Sequence, residues 1–155
     1  MEDVVGVTVQ YFDNMFSSGS CNRIEECLEV IPQKLTVDMQ QNLSNEFSAD
    51  EIKVALFQMG PTNASRPDVM NAIFYIKFWH IVGDSVVLAV LEFLNTGHML
   101  PELNYTYIVL ILKIKNLVKM SDYRPISLCN VIYKIIAKVL VNRLKQILPH
   151  IIAPT

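Results

Sequence analysis

Residues 123–148 constrain this chain more than any other stretch. Tyr123-Arg124-Pro125-Ile126-Ser127-Leu128-Cys129-Asn130 sets an arginine against a proline, whose ring fixes the local backbone, and then runs through a short apolar segment. From Asn130 to Leu148 apolar residues recur at helical spacing: Ile132, Ile135, Ile136, Val139, Leu140, Leu144 and Ile147. Lys134, Lys138, Asn142 and Lys145 populate another face of that helix, and Pro149 is expected to end it. Arginine, short strand and lysine-bearing helix, in that order, suggest a platform for phosphate.

The charge distribution points the same way. A formal net charge of −2 hides a strong polarity along the 155 residues. Residues 1–60 carry ten acids and three bases, whereas residues 113–155 carry eight bases and one acid, Asp122. The C-terminal third alone has the electrostatic footprint of a phosphate binder, with a solvated basic helix face as the alternative reading. Apolar residues make up 52% of the chain, enough for a core and somewhat rich for a free-standing soluble domain. No apolar run approaches the roughly 18 residues that a spanning helix needs, so no membrane partner is expected. The N-terminus shows no secretory signal, and an odd count of three cysteines favours a reducing, intracellular setting, nuclear or cytoplasmic. Cys21, Cys27 and Cys129 form no CxxC pair, His80, His98 and His150 are scattered, and no metal site is expected.

The periodicity predicts a helix over Val4–Phe16, a short one around Arg23–Val30 and another helical turn at Thr36–Leu43. Ser48-Ala49-Asp50-Glu51 is a capping box opening a helix with Ile52, Leu56 and Met59 on one face. Pro61–Pro67 reads as a loop, followed by helices over Asn71–Trp79 and Asp84–Asn95, the latter closed by Gly97. Tyr105–Leu112, rich in β-branched and aromatic residues, is a strand, and Lys115–Asp122 a polar connection to a second short strand at Ile126–Leu128. The fold class is α+β, mostly helical: helices, then a short β-hairpin, then a long amphipathic helix.

In a hairpin, Lys113 at the end of one strand and Arg124 at the start of the next come near one another. Lysine as a point charge and arginine as a bidentate fork then suit an anionic group, although strand ends also carry cations that are merely solvated. No Gly-rich phosphate loop, HExxH or GxSxG is present, and no catalytic residue is assigned. Asp68, Asp84 and Asp122 are isolated, and His80 beside Trp79 reads as a packing or capping residue.

The blocks Ile108–Lys113 and Tyr123–Ile136, continued by Asn142-Arg143-Leu144 and Leu148-Pro149, resemble the fingers of reverse transcriptases from LINE-type (non-LTR) retrotransposons of plants. Pro67-Asp68, Phe74-Tyr75 and Phe78-Trp79-His80 resemble the segment before those blocks. Tyr11–Phe16 is similar to the segment joining that family's endonuclease to its polymerase. The resemblance implies an acidic helical connector over residues 1–60 and partial fingers of a right-hand polymerase over 61–155, truncated before the palm. It implies that Lys113 and Arg124 contact the incoming triphosphate, and that Lys134, Lys138 and Arg143 lie along the nucleic-acid backbone. RNA template, DNA primer and the missing palm are the implied partners. Magnesium is expected for the full-length family enzyme and no cofactor for this chain, which should polymerise nothing alone because the palm aspartates are missing. The chain departs from the family at Ser65-Arg66-Pro67-Asp68-Val69, where a Pro-Gly-Pro-Asp-Gly turn is usual, at Asn63 and at Leu112. Two other readings stand beside this one: a small helical interaction module that self-associates through exposed apolar faces, and a non-functional retroelement remnant.

Overall fold

The computed structural model describes residues 2–19, 35–60, 71–116 and 118–152. The helix expected around Arg23–Val30, Cys21, Cys27 and the loop with Asn63, Arg66 and Asp68 lie outside these residues. The described elements are α1 (Glu2–Phe16), α2 (Val37–Ser44), α3 (Ala49–Phe57), α4 (Ala72–Lys77), α5 (Trp79–Thr96), α6 (Pro101–Asn104), β1 (Tyr107–Leu112), a 3-10 turn (Met120–Asp122), β2 (Tyr123–Leu128) and α7 (Val131–Ile151). The architecture is mostly helical with one two-stranded antiparallel sheet. Among the described residues no helix is long and apolar enough to cross a membrane.

The chain divides into two units: Met1–Gln33 with Leu110–Ile126, and Lys34–Val109 with Ser127–Thr155. In the first, α1 buries Phe12 and leaves Val4, Val5, Val9 and Phe16 exposed. The second holds the core. Ile52, Ala55 and Leu56 of α3, Val86 and Val90 of α5, and Val131, Ile132, Ile135, Ile136 and Val139 of α7 form one buried cluster. Each fully buried aliphatic side chain there contributes about 1.5–3 kcal/mol. Acidic α3 and basic α7 pack together in this unit, so the charge polarity of the sequence does not mark a packing boundary.

Local signals act as the sequence suggests at most helix ends. The Ser48 hydroxyl accepts from the Glu51 amide at 3.3 Å, and the Glu51 carboxylate accepts from the Ser48 amide at 2.9 Å. Thr36 and Asn71 cap α2 and α4 with their side chains. Gly97 stops α5 at φ 71°, a left-handed backbone that glycine adopts without a Cβ penalty. Asn130 caps α7, its Oδ1 accepting from the Tyr133 amide at 2.7 Å, while its Nδ2 donates to the Leu103 carbonyl and so ties α6 to α7.

Four expectations need correction. Helix α5 starts at Trp79 rather than Asp84, because Phe78, at φ −104° and ψ 22°, breaks the segment just before it. A Pro-led turn, α6, occupies the connection expected to be only a separator, since proline suits the first helical position, where no N–H is needed. Pro149 does not end α7, which runs to Ile151. So near the C-terminus the ring removes one amide donor, and the helix still closes with the Ile152 amide on the Leu148 carbonyl at 2.9 Å. Finally, Leu140 and Leu144 are not core residues: they are 39% and 46% exposed. At about 100° per residue they lie far round the helix from the buried Ile135–Val139 line, although their sequence spacing matches it.

Candidate nucleic-acid interface

The hairpin sets the geometry of the first two candidate residues. Strands β1 and β2 pair along their full lengths, Tyr107–Leu112 against Tyr123–Leu128. Beyond the strands the Lys113 amide donates to the Asp122 carbonyl at 2.8 Å. This register puts Lys113 opposite Asp122 and Ile111 opposite Arg124. Because side chains alternate along a strand, Lys113 and Arg124 occupy the same sheet face as a diagonal pair, within reach of long side chains. Both are exposed.

The turn engages one of the two cations. Lys113 Nζ donates to the Ser121 carbonyl at 2.6 Å. The Asp122 carboxylate accepts from the Lys119 and Val118 amides, at 3.0 Å and 3.1 Å, closing the 3-10 turn. Those two amides, with a smaller contribution from the Lys113 charge, hold the Asp122 carboxyl below its ordinary pKa. Asp122 is therefore a turn-building residue, a role that isolated spacing did not reveal. The arrangement puts one guanidinium and one ammonium on a common face, with the ammonium donating to a backbone carbonyl.

Helix α7 carries the other three candidates, and they differ. Lys134 and Lys138, one turn apart and half-buried, flank an open depression of about 330 Å³ floored by Met59, Ala137 and Val141 and bordered by Tyr133 and Cys129. Cys129 accepts a weak hydrogen bond from the Thr106 hydroxyl at 3.7 Å, and its thiol is free. Arg143 lies elsewhere on the helix, its side chain 10% exposed. All five of its N–H donors are used within the protein. Two reach Glu51, at 2.7 Å and 3.0 Å. The others reach the carbonyls of Leu43, Asn45 and Glu46, at 3.2, 2.5 and 2.8 Å. The guanidinium also stacks on Phe47, 3.7 Å from the ring centroid. It thereby satisfies the Leu43 carbonyl in the last turn of α2 and the two carbonyls of Asn45 and Glu46 just beyond it, and anchors the capping box of α3. The Glu51 carboxyl falls to about 2, chiefly through the Arg143 hydrogen bond and against the cost of burial.

An open cleft of about 420 Å³ between α3 and α7, walled by Val54, Val139, Asn142 and Gln146, runs alongside this clamp. Asp84 and His80 are exposed on α5, and Asp68 lies outside the described residues. Among the described residues no three His, Cys, Asp or Glu side chains come together in a way that could hold a metal ion.

No family model matches the sequence. The chain is similar to the transposon TX1 uncharacterized 149 kDa protein of Xenopus laevis, 25% identical over 149 residues. That match covers 93% of this chain and 11% of the Xenopus protein, so the chain spans about a ninth of the relative's length.

Proposed function

We propose that the chain is retroelement-derived and corresponds to the fingers of a LINE-type reverse transcriptase, preceded by the connector from its endonuclease. Similarity to a transposon protein along nearly the whole chain supports the origin. The observation that carries the fingers reading is the same-face diagonal of Lys113 and Arg124, set by the hairpin register. In this reading the two cations grip the triphosphate of an incoming nucleotide, while Lys134 and Lys138 neutralise template or primer phosphates. Arg143 is given a structural role, because its donors are already spent on Glu51 and three carbonyls.

In the family enzyme, magnesium held by palm aspartates would stabilise the charge that develops on the transferring phosphoryl group. The described residues do not fit such a centre, and no chemical step is assigned to them. RNA template, DNA primer and a palm supplied by further sequence are the partners this reading calls for.

Equilibrium titration of the 155-residue chain with a fluorescent nucleoside triphosphate tests the hairpin assignment. Lys113→Ala and Arg124→Ala should each weaken binding about 5- to 30-fold, the loss of one charge-assisted contact. Indifference to both substitutions overturns the assignment. Primer extension by the isolated chain should show no template-directed incorporation.

A further inference from the structure

We infer that the outer face of α7 is a docking surface for helix α1 of a second copy of this chain, giving a reciprocal dimer. Helix α7 is apolar on two opposite sides. Its inner side is buried in the core, whereas Tyr133, Leu140, Val141, Leu144 and Leu148 form an outer stripe, each 39–50% exposed. Lys134, Lys138 and Lys145 run along one flank of that stripe, at helical positions next to Val141 on the wheel. A free helix face of this composition is costly in water unless something covers it.

Charge decides the occupant. Helix α7 contains no Asp or Glu, so a second α7 would bring lysines and no carboxylate to receive them. Helix α1 has the complementary composition: Glu2, Asp3 and Asp13, no lysine or arginine, and exposed Val4, Val5, Val9 and Phe16. The lengths match as well. The fifteen residues of α1, like the stretch from Tyr133 to Leu148, span about 22–24 Å at 1.5 Å per residue. Made twice, each copy giving its α1 to the other's α7, this contact makes the association reciprocal. The flanking lysines are those proposed above to meet nucleic acid, so single-stranded RNA should compete with dimerisation.

Sedimentation of the full chain across concentration tests this inference, with circular dichroism reporting the fold of each variant. The wild type should dimerise reversibly. Leu144→Glu and Val9→Glu, both at exposed positions, should each weaken dimerisation at least about tenfold. Mixing the two variants should restore a heterodimer, because one intact α1 then meets one intact α7. As a second route independent of the apolar substitutions, Lys138→Glu should weaken the dimer and Asp13→Lys in the same chain should recover it. Four results overturn the inference: a monomer at every concentration, a dimer indifferent to both glutamate variants, a mixture that stays monomeric, or a monomer whose α7 stripe instead binds phosphatidylserine vesicles.

Discussion

Arg143 and Glu51 lie 92 residues apart in sequence and are joined by two parallel charge-assisted hydrogen bonds, 2.7 Å and 3.0 Å long. The same guanidinium holds the carbonyl end of α2, so a single side chain fastens α7 to two other helices. Removing it takes the donor from the part-buried Leu43 carbonyl and from those of Asn45 and Glu46, and leaves the Glu51 carboxylate only its Ser48 donors. Arg143→Ala should cost about 2–4 kcal/mol, and Arg143→Lys, which keeps the charge and loses the fork, about 1–2 kcal/mol, by urea denaturation at neutral pH.

The pair also sets a pH dependence. The Glu51 carboxyl is lowered from 4.5 to about 2 on folding. A depressed carboxylate stabilises the fold fully above its unfolded value and loses that contribution as pH falls through the folded one. Stability from this pair should therefore be intact above pH 4.5 and decline between about pH 4.5 and pH 2. The full shift would correspond to about 3 kcal/mol, but the Glu51 side chain is 35% exposed and solvent screening brings the expected loss nearer 1–2 kcal/mol. Urea midpoints at pH 5 and pH 3 for wild type and Glu51→Gln check this, and the variant should show the smaller change.

Two glycines are held for different reasons. Gly97 sits at φ 71°, where a Cβ is strained, so Gly97→Ala should destabilise by about 1 kcal/mol. At Gly83 an added Cβ would come within 2.9 Å of the Trp79 ring, which packs edge-on against Phe57. Alanine gains roughly 1 kcal/mol in helix propensity there, but overpacking costs about 1–3 kcal/mol. Thermal melts of Gly83→Ala should therefore show a net loss.

Asn130 is a joint as well as a cap. Its two side-chain polar atoms serve the Tyr133 amide and the Leu103 carbonyl. Asn130→Ala should cost about 1–2 kcal/mol, more than the roughly 1 kcal/mol of Ser48→Ala, because it also orphans a carbonyl in α6. A double-mutant cycle with Ser48→Ala should be additive, since the two caps share no partner.

Much of this architecture was legible from local chemistry. The capping box at Ser48, the stop at Gly97 and the Asn130 helix start depend on residues a few positions apart, and the hairpin on two neighbouring segments joined by one connection. What stayed hidden depends on distance or angle. Arg143 looked like one more cation on a basic helix because its acceptors lie 92 to 100 residues away. Leu140 and Leu144 kept the spacing of the core stripe yet face outward, since a helix apolar on two sides gives i, i+3, i+4 matches on both. The Phe78 break has no Gly or Pro to announce it. Pro149 looked like a stop, but in a final turn it removes only one amide. At the candidate site, the register that aligns Lys113 with Arg124 follows from the hairpin, whereas the pull of the Ser121 carbonyl on Lys113 needed the folded turn.

Binding of single-stranded RNA to the 155-residue chain at 50 mM and 200 mM salt tests most directly the claim that its basic elements hold nucleic-acid backbone. Two phosphate contacts through Lys134 and Lys138 predict a log–log salt slope near −1.4, or roughly sevenfold weaker binding over that range. The variant carrying Lys134→Glu and Lys138→Glu should bind more weakly at 50 mM and lose most of that slope. RNA binding that is absent, independent of salt or unchanged in the charge-reversed variant would contradict the account.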